Sequence, residues 1–139
     1  MKSRVARAAK SAAGDHRVRV MEYVLPGGWT VLVGRTDADN EYLSLTLARP
    51  DDWWFHVRGM PGSHVVLQGP PGEEADRDLL KRVAAVAAYY SKARKGGVVP
   101  VSCTRARNVS KPSGAKPGTV QIRKETVLKV RPAEPEATE

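Results

Sequence analysis

The sequence predicts an α+β fold: a mostly antiparallel β-sheet built from hairpins, with one long helix packed on it. Three observations carry this. Short runs rich in Val, Thr, Tyr and Trp recur in pairs split by Gly- or Pro-containing breaks, the pattern of hairpins. Glu73 to Arg94 instead has its apolar residues at helical spacing, namely Leu79, Leu80, Val83, Val86, Ala87 and Tyr90. The length of 139 residues suits one core.

In chain order, residues 1–16 are basic and alanine-rich and are expected to form a flexible arm. Arg17 to Leu25 and Trp29 to Val33 flank Pro26-Gly27-Gly28 and read as a hairpin. After a break at Gly34 to Asp37, Leu43 and Leu47 stand four apart, which suggests a short helix near Asn40 to Ala48 capped by Asp39 or Asn40. Trp53 to Arg58 and His64 to Gln68 form a second hairpin, with Pro61-Gly62 suited to a type II turn. Acids in the first turn and Gly96-Gly97 at the end bound the long helix, about Glu73 to Arg94. Val98 to Thr104, Thr119 to Arg123 and Thr126 to Val130 are short strands, and Pro100 argues that the first lies at an edge. The body is one domain over residues 17–131, and residues 132–139 are expected to be a disordered acidic tail.

Composition narrows the function. Apolar residues make up 41% of the chain and charged residues 27%, a globular balance. No run approaches the roughly 18 apolar residues of a membrane span, and Met1 to Ala13 lacks the apolar core of a signal peptide, so a cytoplasmic location is expected. The single cysteine, Cys103, has no internal disulfide partner. With His16, His56 and His64 the only histidines and no zinc spacing, neither a metal nor another cofactor is expected. The formal charge is +8, and because the tail holds three glutamates and no base, residues 1–131 carry +11. Eleven Lys or Arg fall between Lys92 and Arg131 against Glu125 alone, a density suited to a polyanionic partner, although a solvated basic face has the same appearance.

Two segments carry candidate chemistry. In Asn108 to Gly118, Lys111 and Lys116 each precede a proline, which favours extended backbone and stiffens the loop. Such a loop can grip phosphates, or it can be a solvated turn with incidental lysines. In Asp52-Trp53-Trp54-Phe55-His56-Val57-Arg58, strand alternation sends Trp54, His56 and Arg58 to one face and Trp53, Phe55 and Val57 to the other. An indole, an imidazole and a guanidinium on one face suit stacking and binding of unpaired bases, whereas a core role is the ordinary fate of a single tryptophan.

Five segments in order resemble one family: Gly34-Arg35 with Asn40, Asp52-Trp53-Trp54-Phe55-His56, Pro61-Gly62-Ser63-His64-Val65, Ala88-Tyr89-Tyr90-Ser91-Lys92-Ala93-Arg94, and Lys111-Pro112-Ser113-Gly114-Ala115-Lys116-Pro117-Gly118. Over roughly Val18 to Val130 the chain resembles an NFACT-R domain, the RNA-binding module of NEMF-type ribosome quality-control factors and of bacterial relatives once called fibronectin-binding proteins. The resemblance implies RNA binding, of tRNA or ribosomal RNA, in contact with the large ribosomal subunit, and no reaction of its own. It adds Arg35, Ser63, His64, Lys92 and Arg94 to the candidate RNA-binding residues. The full-length factors add an N-terminal NFACT domain, a helix-hairpin-helix region and a coiled coil, which 139 residues do not hold, so a stand-alone module is expected. The doubled Trp53-Trp54 departs from the family pattern, and either ring is a candidate for exposure.

Two other functions compete. A protein-binding adaptor docking on ribosomal or acidic proteins would show the same basic surface. A hydrolase would enlist His56, His64 and Ser63 with Asp52, but Ser63 does not stand in a Gly-x-Ser-x-Gly elbow.

Overall fold

In a computed structural model, residues 4–10 and 17–135 are described. The elements are β1 (Arg4–Lys10), β2 (Arg17–Leu25), β3 (Trp29–Gly34), α1 (Asp37–Tyr42) continuing into one π-helical turn (Leu43–Leu47), β4 (Trp53–Val57), β5 (Val65–Gln68), α2 (Arg77–Tyr89), β6 (Val99–Arg105), β7 (Val109–Ser110), β8 (Gln121–Ile122) and β9 (Thr126–Val130). Among these, seven strands form one antiparallel sheet in the order β1-β2-β3-β5-β4-β6-β9, and β7 pairs with β8 in a ribbon beside it. The α+β class holds, with both predicted hairpins in place.

The pleat divides the sheet into two cores, because alternate side chains leave on opposite faces. Val31, Val33, Phe55, Val57, Val65, Leu67, Val101 and Leu128 meet α2. Ala84, Ala87 and Ala88 let that helix approach closely, and Val83 and Val86 fill the space between. On the opposite face Val20, Leu32, Trp54 and Val66 meet Leu43 of the π turn and Val109, with Val120 and Ile122 packed around them. The sheet is thus covered on both sides, by α2 on one and by α1, the π turn and the small ribbon on the other.

The second cover is fastened by a chain of buried polar groups. Trp54 Nε1 donates to Ser44 Oγ at 2.8 Å, and Ser44 Oγ lies 2.7 Å from His64 Nδ1. The His64 amide donates to Asn40 Oδ1 at 3.0 Å, and the His64 ring has a further hydrogen bond to the Asn40 main chain. Each group in this series is buried, so an unpartnered member would carry the full cost of desolvation. Burial and the neighbouring His56 push the His64 ring down to about 4.

Several boundaries differ from those predicted. Residues 1–16, expected as a flexible arm, include β1, which pairs along its length with β2; residues 11–16 lie outside the described residues. Thr36, not Asp39 or Asn40, caps α1 through its side chain, because Asp39 is occupied by the Arg19 amide and Asn40 by His64. α2 begins at Arg77 rather than Glu73 because the Asp76 carboxylate accepts from Leu79 N. It ends at Tyr89, after which Ser91 Oγ bonds the Ala88 carbonyl.

The turn between β4 and β5 uses Gly59, at φ 79°, as its left-handed residue, and Gly62 serves close approach instead. Gly62 bridges to Ser91, and a Cβ there would sit 2.8 Å from Ser91 Cβ. β6 is not an edge strand: it lies between β4 and β9. Pro100 is tolerated because it falls beyond the pairing of β4, with only its carbonyl engaged, by Arg58 N.

The acidic tail, expected to be disordered over 132–139, is described to Pro135. Ala133 N donates to the Ala85 carbonyl of α2, and Pro135 is buried beside Leu25, Val31 and Val86. Facing the same core, Cys103 is buried, which pushes its thiol up to about 12.

Two outcomes follow from this packing. Deleting residues 132–139 removes a backbone hydrogen bond and uncovers apolar surface on α2, and is expected to cost about 1 to 2 kcal/mol; an unchanged urea midpoint would show that the tail contributes nothing. The second concerns acid. The His64 pKa is lowered in the folded state, so the unfolded chain takes up a proton near pH 6.5 that the folded chain refuses until about 4. Stability is therefore fully present above pH 6.5 and falls as the pH drops toward 4, by on the order of 3 kcal/mol. Urea titrations at stepped pH should show this slope, flattened in His64→Asn; equal slopes in the two proteins would assign the acid sensitivity to other groups.

Candidate nucleic-acid interface

Parts of all five segments singled out in the sequence meet at one end of the sheet, where β3 and β4 finish and β5 begins; Asp52 and Trp53 lie toward the other end. Gly34 N donates to the His64 carbonyl at 3.0 Å, which joins the end of β3 to the start of β5. Ser63 N donates to the Tyr90 carbonyl at 2.9 Å, and the Gly62–Ser91 bridge ties the same loop to the end of α2. The 111–118 loop is bound in by Glu41 of α1, which accepts from Gly118 N at 3.0 Å and pairs with Lys111 Nζ at 3.1 Å. Gly118, at φ 87°, lies against Asp37 where a Cβ would be 3.1 Å from the Asp37 side chain, so the loop's close seat on α1 needs glycine.

This end carries a rim of exposed cations: Arg35 after β3, Arg58 after β4, Lys92, Arg94 and Lys95 after α2, and Lys116 on the loop. Between them lies an open cleft of about 370 Å³ lined by Arg35, Asn40, Ser63, Ser91, Lys92 and Arg94. The Arg94 guanidinium lies 4.0 Å from the Tyr89 ring centroid, and its Nε donates to the Tyr89 carbonyl at 2.8 Å. Held flat in this way, the guanidinium keeps its remaining N–H groups for an acceptor. Among the described residues, Arg35, Lys92, Arg94 and Lys116 have no ion-pair partner.

Most of the predicted site residues come together here, but not all in the expected capacity. Trp54 is 2% exposed and its indole N–H is committed to Ser44, so it forms the floor under this end and offers no ring to solvent. Trp53 is half-buried and lies under the Arg105 guanidinium, 3.8 Å from the ring centroid, so its ring is occupied too. His56 is half-buried, stacked on Trp54 with ring centroids 6.0 Å apart. Its pKa is lowered by burial, partly opposed by a hydrogen bond to the Gly62 main chain. His64 is buried within the network, while Arg58 is exposed beside Glu125. Ser63 lines the cleft. Lys111 differs from Lys116: its charge is held by Glu41, so it ties the loop down, and Lys116 is left at the surface.

The hydroxyl on His64 belongs to Ser44, not Ser63, and Ser44 is 3% exposed with its oxygen also accepting from Trp54. A nucleophile must reach its substrate, and this one is sealed inside. Asp52 stands at the other end of the sheet, bound to Arg49 N and Gln68 Nε2. The constellation that a hydrolase would need is therefore not assembled. Among the described residues no group of three or more His, Cys, Asp or Glu is placed to hold a metal ion, and no helix is long and apolar enough to cross a membrane.

Glu41 and Ser44 were not singled out from sequence, and Tyr89 was quoted within a motif without a role. The partners of Glu41 are 70 and 77 positions away, a relation that no local pattern announces. A larger cleft of about 400 Å³ at the opposite end of the sheet is lined by Trp29, Trp53, Asp51, Glu73, Arg105 and Arg107. Its cations are already paired, Arg105 with Glu74 at 2.8 Å and Arg107 with Asp51, so it lacks the free positive charge of the first.

Comparison with known proteins identifies the family. A relative described as Rqc2 homolog RqcH from Bacillus subtilis (strain 168) is 40% identical over 117 residues, which are 84% of this chain and 20% of the relative. The Rqc2 homolog RqcH of Streptococcus suis (strain 05ZYH33) is 37% identical over 121 residues, 85% of this chain and 21% of that protein. The chain thus spans about a fifth of the length of these curated relatives. Among solved structures, the C-terminal part of the fibronectin/fibrinogen-binding protein from Streptococcus suis matches with a TM-score of 0.72 and 30% identity, covering 93% of this chain and 46% of that one. The model of the NFACT protein RNA binding domain matches residues 19–124, and the chain belongs to that family.

Proposed function

We propose that this chain is a non-catalytic RNA-binding module that grips the phosphate backbone along the rim formed by Arg35, Arg58, Lys92, Arg94 and Lys116. The observation that carries the reading is the convergence of five sequence-distant segments on one end of the sheet, where their buried members brace one another and their cations face outward. The unpaired Arg35, Lys92, Arg94 and Lys116, joined by the exposed Arg58 beside Glu125, stand on a braced frame that suits a polyanion, because little freedom is lost when it binds. Its RNA is a tRNA or a ribosomal RNA element, met in the cytoplasm during ribosome-associated quality control. The relatives named Rqc2 homolog support that assignment, as does the density of cations from Lys92 onward.

Binding to tRNA or an rRNA fragment should weaken steeply with salt, with a log-log slope of about −0.7 for each single-strand phosphate contacted. The double variant Lys92→Glu/Arg94→Glu should bind at least tenfold more weakly, about 1.4 kcal/mol, with a shallower salt slope. Its stability should fall by no more than about 1 kcal/mol, because both side chains are exposed and only the Arg94 contacts with Tyr89 are lost. Lys81→Glu/Arg82→Glu on the outer face of α2 is the charge-matched control. Equal losses in the two variants would reduce the effect to net charge. Wild-type association with ribosomes that survives nuclease treatment would instead favour a protein partner.

A further inference from the structure

Next to the cationic cleft is a second cavity of about 290 Å³, lined by Trp54, His56, Arg58, Ser102, Thr119 and Ile122 among others. The geometry points to this cavity as the seat of one unpaired nucleotide, its base held beside the His56 ring and its phosphate on Arg58 at the mouth. The proposal rests on the RNA-binding reading and deepens it.

Size is the first argument. The cavity falls at or below the small end of the range for drug-sized ligands, which suits a single planar heterocycle. Shape is the second: His56 is stacked on Trp54 with an interplanar angle of 25°, and Trp54 is itself fixed by Ser44, so the imidazole is a braced plate. Aromatic plates of this kind hold unstacked bases without demanding a particular sequence.

Polarity is the third argument. His56 has a pKa lowered by burial and a ring hydrogen bond to the Gly62 main chain, so near neutral pH it is an uncharged ring. An uncharged plate favours a neutral base over an anion. The Ser102 hydroxyl and the Thr119 hydroxyl add polar edges, while Val120 and Ile122 supply an apolar wall. The cation is at the entrance: Arg58 remains 58% exposed, with Glu125 steadying its Nε at 3.8 Å. The same carboxylate accepts from Ser102 Oγ, so one acid orients both groups.

Position is the fourth. The Gly62 main chain that bonds His56 belongs to the loop lining the cationic cleft, and Gly118 lines this cavity while resting on Asp37 of the cleft wall. A strand whose phosphates follow the rim would therefore pass the mouth of the cavity. A paired base cannot enter without leaving its helix, so the site selects single-stranded or bulged RNA.

The test compares a short single-stranded oligoribonucleotide carrying one 2-aminopurine with the blunt duplex of the same sequence, at matched salt. Wild-type protein should favour the single strand by about tenfold, within the worth of one stacked base, with a change in 2-aminopurine fluorescence on binding. His56→Ala should lose most of that preference and the fluorescence change while keeping salt-dependent binding to both RNAs. Ile122→Phe, which narrows the cavity from the apolar side, should do the same and covers the case in which His56→Ala fails to fold. Lys92→Glu/Arg94→Glu should weaken both RNAs equally. RNA binding indifferent to strandedness, or a preference that survives Ile122→Phe in folded protein, overturns the nucleotide seat and leaves the rim intact. Failure of the wild type to bind either RNA overturns the RNA-binding reading and the seat with it.

Discussion

The fixed point of this molecule is the buried series Trp54, Ser44, His64 and Asn40, because its hydrogen bonds tie the layer of α1 and the π turn to the sheet. The Trp54 indole of β4 donates to the Ser44 hydroxyl of the π turn, that hydroxyl bonds the His64 ring beside β5, and the His64 main-chain N–H donates to the Asn40 side chain of α1. In a low-dielectric interior such a series is worth most when complete and is costly when broken. That asymmetry holds α1 against the sheet. α1 in turn offers Glu41, which holds the 111–118 loop, so the seat of the surface loop is set by hydrogen bonds one layer beneath it.

This arrangement separates two duties that the sequence presents together. Within one motif some residues build and others project: His64 is buried while Ser63 lines the cleft, and Lys111 is tied to Glu41 while Lys116 stands free. A rigid frame with cations at its margin suits recognition of a charged backbone, since the frame bears the ordering cost during folding instead of during binding. The opposite end of the sheet shows the contrast: it has tryptophans and arginines as well, but its guanidiniums are matched by Asp51 and Glu74.

Much of the fold was legible because its signals are local. Period-two alternation placed Trp53, Phe55 and Val57 on one face and Trp54 on the other, as observed. What alternation does not say is which layer will cover a face. Trp54 therefore read as a candidate stacking surface, whereas the π turn and the small ribbon bury it. The boundaries that moved did so for side-chain reasons: Asp76 captured the start of α2, and Thr36 capped α1 because Asp39 and Asn40 had partners in other elements. Pro100 suggested an edge from its missing N–H, yet a neighbouring strand that ends one residue short lifts the restriction. The candidate site was legible as a set of segments and not as a set of roles, since roles depend on pairings such as Glu41 with Lys111 across 70 positions.

Cys103 has a consequence of a different kind. It is the chain's single cysteine, it faces α2 in the interior, and burial pushes its thiol up to about 12. Thiolate is the reactive form, so near neutral pH the native protein presents almost none. A cysteine introduced on the exposed 111–118 loop would then be the one thiol that a maleimide finds in the folded state. Reporter dyes or spin labels can be set beside the cationic rim without first removing the native residue, and the wild-type core stays intact during the measurement.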